Sequence, residues 1–383
     1  MKTAVEDWKM KRDPKVELMR IIACAIVIGT HTYLPLLVDG IPDSSHVFIA
    51  CLFSDGVAVF WLINGFFLFK NKSYAKLMRH TAKHILVPML LISVFGFYLG
   101  EWITKGATLR QSVLHSPEDY KNLLNGLLSW SNAVSDLGHL WYLYAYVLLM
   151  LLFPVLKSFA DYLGEDAKRE KAFLIISAAF LLFNDISGNR FGSFSHHTIN
   201  ACFPAAIEIL WGHILYKHRA LFSKRLFMAA GFAGFLVLNV LRFGVQLHNY
   251  EIDISDITAL YWYTLTGTLC AVCIAVFCLS TGLERTKSTR TGRFICFLAS
   301  HTMNIYLVHI FVRNFLSRYG FQSFLRQKLF AGGQNFFYEA LYSAAQIVVI
   351  FIISLAVSVA VKTPGILAQR FSLRLSSQAG KCK

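Results

Sequence analysis

The sequence has little charge for its length, and its acidic residues are outnumbered by basic ones. Only 15% of the 383 residues are charged, with 22 Asp plus Glu against 37 Lys plus Arg, whereas soluble globular proteins carry about 25%. The eight cysteines are scattered, which excludes a small disulfide-stapled domain. A hydrophobic fraction of 56% excludes a disordered chain. So little charge cannot cover two or three soluble domains, and we predict an integral membrane protein.

Long apolar segments recur along the whole chain. A spanning helix needs about 20 mostly apolar residues, and ten segments meet or approach that length. They are 16–37, 47–69, 84–103, 139–156, 172–187, 199–216, 226–243, 257–281, 294–316 and 338–361. The sequence therefore predicts an all-α polytopic membrane protein of about ten transmembrane helices. Its predicted parts are a cytoplasmic segment 1–15, a membrane domain 16–361 and a basic cytoplasmic tail 362–383.

The basic residues fall mainly on one side of this predicted topology. The termini and the loops on their side hold 27 Lys plus Arg, and the opposite loops hold 7. Because loops rich in Lys and Arg stay in the cytoplasm, both termini are predicted to be cytoplasmic. The net charge of +15 then reflects topology, and no nucleic-acid partner is predicted. The longest outer loop, 104–138, is either a cover over an outer site or a connector.

The first predicted helix carries two polar groups on one face. Arg20 and His31 are 11 residues apart, which places them roughly 20° apart around the helix axis and about 16 Å apart along it. Ionisable side chains inside a membrane are costly, so each is a functional candidate. Arg20 suits the phosphates of a long, thin donor such as coenzyme A, and His31 suits a general base at its reactive end. Alternatively, Arg20 snorkels to the interface and His31 only bonds a neighbouring helix.

Other predicted segments contribute further polar candidates. His309 and Arg313 share a face of the ninth segment, and His139 opens the fourth. Lys76 and Arg79 share a helical face beyond the second segment and are candidates for binding donor phosphates. Ordinary topology explains most of the basic residues in that loop as well.

Two pairs of potential ligands raise the question of a metal. Cys270 and Cys273 form a CxxC pair inside an apolar run with no His or acid nearby, so we interpret them as small residues packed between helices. His196 and His197 are adjacent in an outer loop without a third ligand, which favours a solvated loop. No metal site is predicted.

Short motifs in a fixed order connect these candidates. The Arg20 and His31 pair comes first, and Asn64 lies in a Gly-to-Phe segment further on. The full set also has an acidic residue, a basic pair and two later signatures: Glu17, Gly56–Phe66, Lys76 with Arg79, His139–Leu143 and Tyr306–His309. In this order the motifs resemble the acyltransferase-3 family of membrane acyltransferases. At the position of Asn64 that family usually has Ser, and at the position of Glu17 it commonly has Asp.

The resemblance implies a membrane O-acyltransferase of a bacterial-type plasma (inner) membrane. Its donor would be cytoplasmic acetyl-CoA or another acyl-CoA, and its acceptor a hydroxyl of a cell-surface or lipid-linked glycan. His31 is then the candidate base, and Arg20, Lys76 and Arg79 are the candidate donor ligands. The candidates for contact with the acceptor or the transition state are Asn64, His139, Tyr306 and His309. The rival prediction is a polysaccharide or lipid-linked sugar exporter without chemistry.

Overall fold

The structure is a computed structural model, and it describes most of the chain. The described residues are 12–33, 37–38, 41–42, 44–128, 137–187, 198–251, 264–283, 289–329 and 335–379. The His196 and His197 pair and nearly all of segment 1–15 lie outside them. The tail 362–383 is helical as far as Ala379.

Seventeen helices of more than four residues account for most of the described chain, together with short π and 3₁₀ turns. They are α1 Pro14–Tyr33, α2 Ser44–Leu52, α3 Gly56–Leu68, α4 Tyr74–Thr81, α5 Val87–Thr104, α6 Leu109–Val113, α7 Pro117–Leu128, α8 Trp141–Leu151, α9 Phe153–Gly164, α10 Ala167–Ser187, α11 Thr198–Lys217, α12 Arg225–Glu251, α13 Leu265–Ser280, α14 Arg290–Ala299, α15 Thr302–Arg318, α16 Phe321–Leu329 and α17 Phe336–Ala379. One antiparallel strand pair, β1 Leu37–Val38 and β2 Ile41–Pro42, follows α1.

Four stretches of the described chain are long and apolar enough to cross a membrane: Ser44–Leu68, Tyr74–Thr104, Arg225–His248 and Phe336–Lys362. Two bent helix pairs raise the number to six if each pair is one span, namely α8 with α9 and α14 with α15. The protein is therefore an all-helical membrane protein with four to six candidate spans. All ten predicted segments are at least partly helical, but the count of ten spans and the cytoplasmic termini stay predictions.

Proline accounts for two departures from straight helices. The α8 and α9 axes differ by 71°, and Pro154 stands in the first turn of α9, where its ring prevents α8 from continuing. Pro88 stands in the first turn of α5, directly after the π turn Ala82–Leu86. The 58° bend between α14 and α15 falls at Ser300 and His301 instead, where there is no proline.

The predicted outer loop 104–138 folds back on the membrane part where it is described. The Ser112 hydroxyl donates to the Tyr98 carbonyl of α5 at 2.8 Å and accepts from the Trp102 amide at 3.2 Å. The His115 ring stacks on Phe97 with ring centroids 3.9 Å apart. This part of the loop is therefore packed against the end of α5.

Helices α3 and α11 approach one another through glycine. A Cβ added to Gly65 would overlap the Ile209 carbonyl oxygen of α11, and one added to Gly212 would overlap the Leu62 carbonyl oxygen of α3. Small residues are the usual means by which membrane helices pack closely. This contact fixes α3, which carries Asn64, against its neighbour.

Gly65→Ala should therefore destabilise the protein by about 1–3 kcal/mol, because the two backbones must separate to admit the methyl group. Thermal unfolding in detergent, followed by tryptophan fluorescence, measures the effect. Gly244→Ala is the matched control, since a Cβ there meets nothing within 4 Å. Equal stability of the two variants would show that the α3 and α11 contact is not close in solution.

Helix α1 lies at the centre of the bundle. It packs against α2, α3, α13, α14, α15 and α17. Its buried apolar residues, such as Met19, Ala23 and Val27, join the main hydrophobic core together with Trp61 and Leu62 of α3. Polar groups on α1 consequently point into the protein rather than into lipid wherever they share that buried surface.

Candidate functional site

The face of α1 predicted to be functional is continuous. Because α1 is an uninterrupted helix over Pro14–Tyr33, Arg20 and His31 lie about 16 Å apart along its axis on nearly the same side. Arg20 forms an ion pair with Glu17 at 3.4 Å and keeps 30% of its side chain exposed. His31 is half-buried near the other end of the helix.

Three imidazoles meet at that end and form the histidine cluster: His31 of α1, His139 of the turn before α8, and His309 of α15. The ring centroids are 5.9 Å apart for His31 and His139, 5.2 Å for His31 and His309, and 5.0 Å for His139 and His309. The Tyr306 ring borders the cluster, 5.4 Å from His139 and 5.8 Å from His309. The structure thus brings together four of the predicted site residues.

One member of the histidine cluster has a defined tautomer. Nδ1 of His309 lies 2.7 Å from the Tyr306 carbonyl oxygen, and because a carbonyl only accepts, Nδ1 carries the proton. Nε2 of a neutral His309 therefore presents a lone pair. This nitrogen is buried and has no hydrogen-bond partner within the described residues. It is available to a substrate or a shared proton.

Backbone hydrogen bonds fix the elements of the cluster to one another. The Tyr306 hydroxyl donates to the His139 carbonyl, so this hydroxyl positions the turn before α8. Arg313 donates from Nη1 to the His31 carbonyl at 2.6 Å, which satisfies an acceptor at the C-terminal end of α1. These contacts connect α1, α8 and α15 at the three imidazoles.

Asn64 and Tyr142 lie between the cluster and Arg20. The Asn64 amide donates to the Tyr142 hydroxyl at 3.2 Å, and the Tyr142 ring is 5.7 Å from that of Tyr306. Phe67, three residues after Asn64 on α3, has its ring centroid 5.9 Å from Arg20 Cζ. Polar groups therefore extend along the interior from Arg20 to His31.

The structure groups Arg20 with two cations that the sequence analysis does not assign to the donor site. Lys70 Nζ lies 4.8 Å from the Phe67 ring centroid, and Arg20 Cζ lies 5.9 Å from the same centroid. Lys70 Nζ and Arg219 Cζ each lie 4.3 Å from the Tyr216 centroid. Arg20, Lys70 and Arg219, which we call the cationic end, therefore surround two adjoining aromatic rings.

Lys76 and Arg79, by contrast, are on exposed α4. Within the described residues neither forms an ion pair with a carboxylate, and no contact joins them to Arg20. Sequence reasoning did not assign Lys70 and Arg219 to the site. Lys70 and Arg219 each follow an aromatic residue, Phe67 and Tyr216, by three positions. The contact that brings the two rings together, with centroids 5.7 Å apart, has no local signal.

Buried ionisable groups outside the predicted site were also missed. Asp55 and Arg242 form a bidentate ion pair with distances of 2.9 and 3.0 Å, and both side chains are inaccessible to solvent. Glu208 is fully buried and accepts a hydrogen bond from Thr268 at 2.9 Å. A carboxylate within an apolar segment can be recognised in the sequence. The residue that pairs with it cannot be recognised there.

Within the described residues, no group of three or more His, Cys, Asp or Glu is arranged to hold a metal ion. The seven described cysteines are free. Cys270 contacts the Asn239 amide at 3.6 Å, and Gly231 and Gly234 of α12 pack directly against Cys273. The CxxC pair therefore lies in a close contact between helices.

The architecture and the site together define a helical membrane protein whose buried imidazoles lie at one end of a polar helix face. A family model described as an acyltransferase domain matches residues 13–363. The chain therefore belongs to the acyltransferase-3 family and is a membrane acyltransferase, as the order of its motifs predicted. No curated protein and no solved structure matches it.

Proposed function

We propose that the protein is an O-acyltransferase of the plasma membrane that moves an acyl group, in the simplest case acetyl, from cytoplasmic acyl-CoA to a hydroxyl of a cell-surface or lipid-linked glycan. Family membership supplies the reaction class. The observation that carries the specific proposal is the row of polar side chains, Asn64 and Tyr142, between the cationic end and the histidine cluster. It connects a site suited to phosphates with a site suited to proton transfer.

The orientation rests on charge. The predicted loops beside the termini hold 27 Lys plus Arg against 7 on the other side, which places Arg20 at the cytoplasmic surface. His31 then lies about 16 Å deeper along α1, towards the outer surface. A donor from the cytoplasm and an acceptor from outside would meet at His31.

The cationic end suits the donor. Phosphate groups prefer Arg and Lys as hydrogen-bonding partners, and within the described residues Lys70 and Arg219 contact aromatic rings rather than carboxylates. Arg20, Lys70 and Arg219 would hold the phosphates. Lys76 and Arg79, on the following helix α4, would add positive charge farther from Arg20. The extended pantetheine arm would then follow the face of α1 past Tyr142 to the thioester.

The histidine cluster suits the chemistry. His31 would accept the proton of the acceptor hydroxyl as its oxygen attacks the thioester carbonyl. As the carbon–sulfur bond breaks, the thiolate of CoA takes up that proton and His31 returns to the neutral form. His139 and His309 would orient His31 and the reacting atoms, and Asn64 would hold Tyr142 beside the donor arm.

Arg20→Gln should raise the KM for acyl-CoA about tenfold with a smaller effect on kcat, because it removes a charge-assisted contact to phosphate. Lys70→Gln should act in the same direction. Initial rates of CoA thiol release against acyl-CoA concentration measure both. Lys105→Gln removes an exposed charge that pairs with Glu101 and should change nothing. An unchanged KM in Arg20→Gln would show that the donor does not bind at this end of α1.

Mass spectrometry of surface glycans tests the function as a whole. Glycans from cells with the gene should carry an ester-linked acyl group that is lost on deletion and restored by the wild-type gene. Purified protein should release CoA from acyl-CoA only when the glycan acceptor is present. Sugar transport across proteoliposomes without CoA release would instead identify an exporter and overturn the proposal.

A further inference from the structure

The protein-facing side of α17 is largely polar, although α17 contains the most apolar candidate span. Its lipid-facing residues include Val348 and Ile352, which are 52% and 57% exposed. The residues on the opposite side are all less than 9% exposed, and half or more are polar: Glu339, Tyr342, Ser343, Gln346, Ile347, Ile350, Ser354 and Ser358. Ser and Gln in membrane helices usually form hydrogen bonds to a neighbouring helix, so the partners of these side chains decide what this face does.

Two of these side chains form no hydrogen bond within the described residues. Gln346 is 1% exposed, and neither its amide nitrogen nor its oxygen has a partner within the described residues. The Ser343 hydroxyl, three residues away on the same face, is also unbonded there. Buried polar side chains are nearly always hydrogen-bonded, so a polar group that the described residues do not supply belongs beside them.

These two residues lie at the same end of the protein as His31. Lys362 of α17 donates to the Ser300 carbonyl, and Arg12 before α1 donates to the Cys296 carbonyl. The C-terminal part of the α17 span and the N-terminus of α1 therefore meet the same segment, so the two helices are antiparallel. The N-terminal part of α17 accordingly lies beside the His31 end of α1.

The two helices also share a face. Ile347 and Ile350 of α17 pack in one cluster with Cys24 and Ile28 of α1. At 100° per residue, Cys24 and Ile28 lie only about 20° and 60° around the α1 axis from His31. One turn towards the outer end from this cluster, α1 presents His31 and α17 presents Ser343 and Gln346.

We propose that Ser343 and Gln346 line an acceptor subsite, which binds a neutral sugar ring of the glycan through its hydroxyl groups and presents one hydroxyl to His31. This proposal rests on the proposed function. An amide that both donates and accepts matches the hydroxyls of a sugar, which do the same. The apolar cluster of Ile347 and Ile350 closes the subsite on the cytoplasmic side. The buried contact of His46 Nδ1 with the Glu339 carboxyl group, at 3.2 Å, lies one turn beyond it at the outer end.

Two serines on this face make a matched experiment. Ser343 and Ser354 are both buried on the same helix and unbonded within the described residues, but they lie on opposite sides of Ile350. The single variants Ser343→Cys, Gln346→Cys, Ser354→Cys and Val348→Cys are expressed in cells and treated from outside with the impermeant thiol reagent (2-sulfonatoethyl) methanethiosulfonate. The unaltered chain gives the background from native cysteines.

Ser343→Cys and Gln346→Cys should react above background, because a subsite that binds a glycan from outside must admit solutes from the outer surface. Ser354→Cys, beyond the apolar cluster, and Val348→Cys, in lipid, should not react. In addition, Gln346→Leu should lower acylation of surface glycans at least tenfold and leave the Kd of the purified protein for acetyl-CoA unchanged. Ser354→Ala should acylate as the wild type does.

Absence of reaction at Ser343→Cys and Gln346→Cys, or equal reaction of the two serine variants, would overturn the subsite. Normal glycan acylation by Gln346→Leu beside an active wild type would overturn it as well. Failure of the proposed function looks different, because the wild-type gene would then leave glycan acylation unchanged. In that case the reaction at Ser343→Cys and Gln346→Cys would show a hydrated face without an acceptor role.

Discussion

Replacing His31 by alanine should lower acyl transfer by about 10²–10⁴-fold, the range that general base catalysis contributes. The variant should insert and fold normally, since His31 is half-buried and it is the main-chain carbonyl of this residue, retained in alanine, that accepts from Arg313. The KM for acyl-CoA should change little, because the cationic end is about 16 Å away. CoA thiol release by purified protein in the presence of acceptor measures the loss.

His84→Ala is the control, since it removes an exposed imidazole on the π turn after α4 and should leave the rate unchanged. Added imidazole should restore part of the activity of His31→Ala, because the deletion leaves space at the position of the base. Normal acyl transfer by a well-expressed His31→Ala protein would show that the base does not lie on α1. His309, whose buried Nε2 has no hydrogen bond within the described residues, would then become the first candidate.

The sequence predicts the polar face of α1 well because that prediction needs only local structure. The angle and distance between Arg20 and His31 follow from helix geometry once the helix is continuous, and α1 is continuous. The encounter of His31 with His139 and His309 is different, since it depends on how α1, α8 and α15 pack. The resemblance to the acyltransferase-3 family, rather than helix spacing, assigned those three residues to one predicted site.

Hydropathy locates the helices but not their bends. The segment 139–156 is predicted as one span, and the structure bends it by 71° beside Pro154, a signal visible in the sequence. The predicted span 294–316 bends by 58° at Ser300 and His301. There the His301 ring bonds the Ser358 hydroxyl of α17 at 2.8 Å, a tertiary contact that no local pattern contains.

The grouping of cations around Arg20 likewise depends on tertiary contacts that the sequence does not show. Lys76 and Arg79 share a predicted helical face, and that face is exposed on α4. Their role as donor ligands stays a prediction. Two further cations, Lys70 at the end of α3 and Arg219 in the turn after α11, come together near Arg20 at the rings of Phe67 and Tyr216. Aromatic contacts between distant elements decide the grouping of these charges.

Removing Arg242 should have the largest effect on stability. Its guanidinium forms a bidentate ion pair with Asp55 and also donates to the Cys51 carbonyl at 3.2 Å. Both residues are inaccessible to solvent, so Arg242→Met leaves the Asp55 carboxylate buried without its counter-ion. Breaking a buried pair in this way costs about 3–5 kcal/mol. The loss should appear as poor membrane yield and a lowered unfolding temperature in detergent.

The location of the Asp55 and Arg242 ion pair explains its structural role. Asp55 precedes α3 without a side-chain cap on that helix, at the interruption between α2 and α3 inside the span Ser44–Leu68. Arg242 of α12 thus supplies both a counter-ion to Asp55 and a donor to a carbonyl near the end of α2. Unsatisfied backbone groups at membrane depth are costly, so the pair stabilises an interruption that a plain apolar helix would not need.

A double replacement separates these contributions. In Asp55→Leu with Arg242→Met neither charge of this pair remains buried, so the double variant should recover most of the stability that Arg242→Met loses. The exposed pair of Lys157 and Asp161, at 3.0 Å, is the control, because Lys157→Met should cost less than about 1 kcal/mol. If the double variant is no more stable than Arg242→Met, the bond from Arg242 to Cys51 outweighs the ion pair in holding the interruption. If Arg242→Met itself is fully stable, the carboxyl of Asp55 does not need a counter-ion, and the role assigned to the pair is wrong.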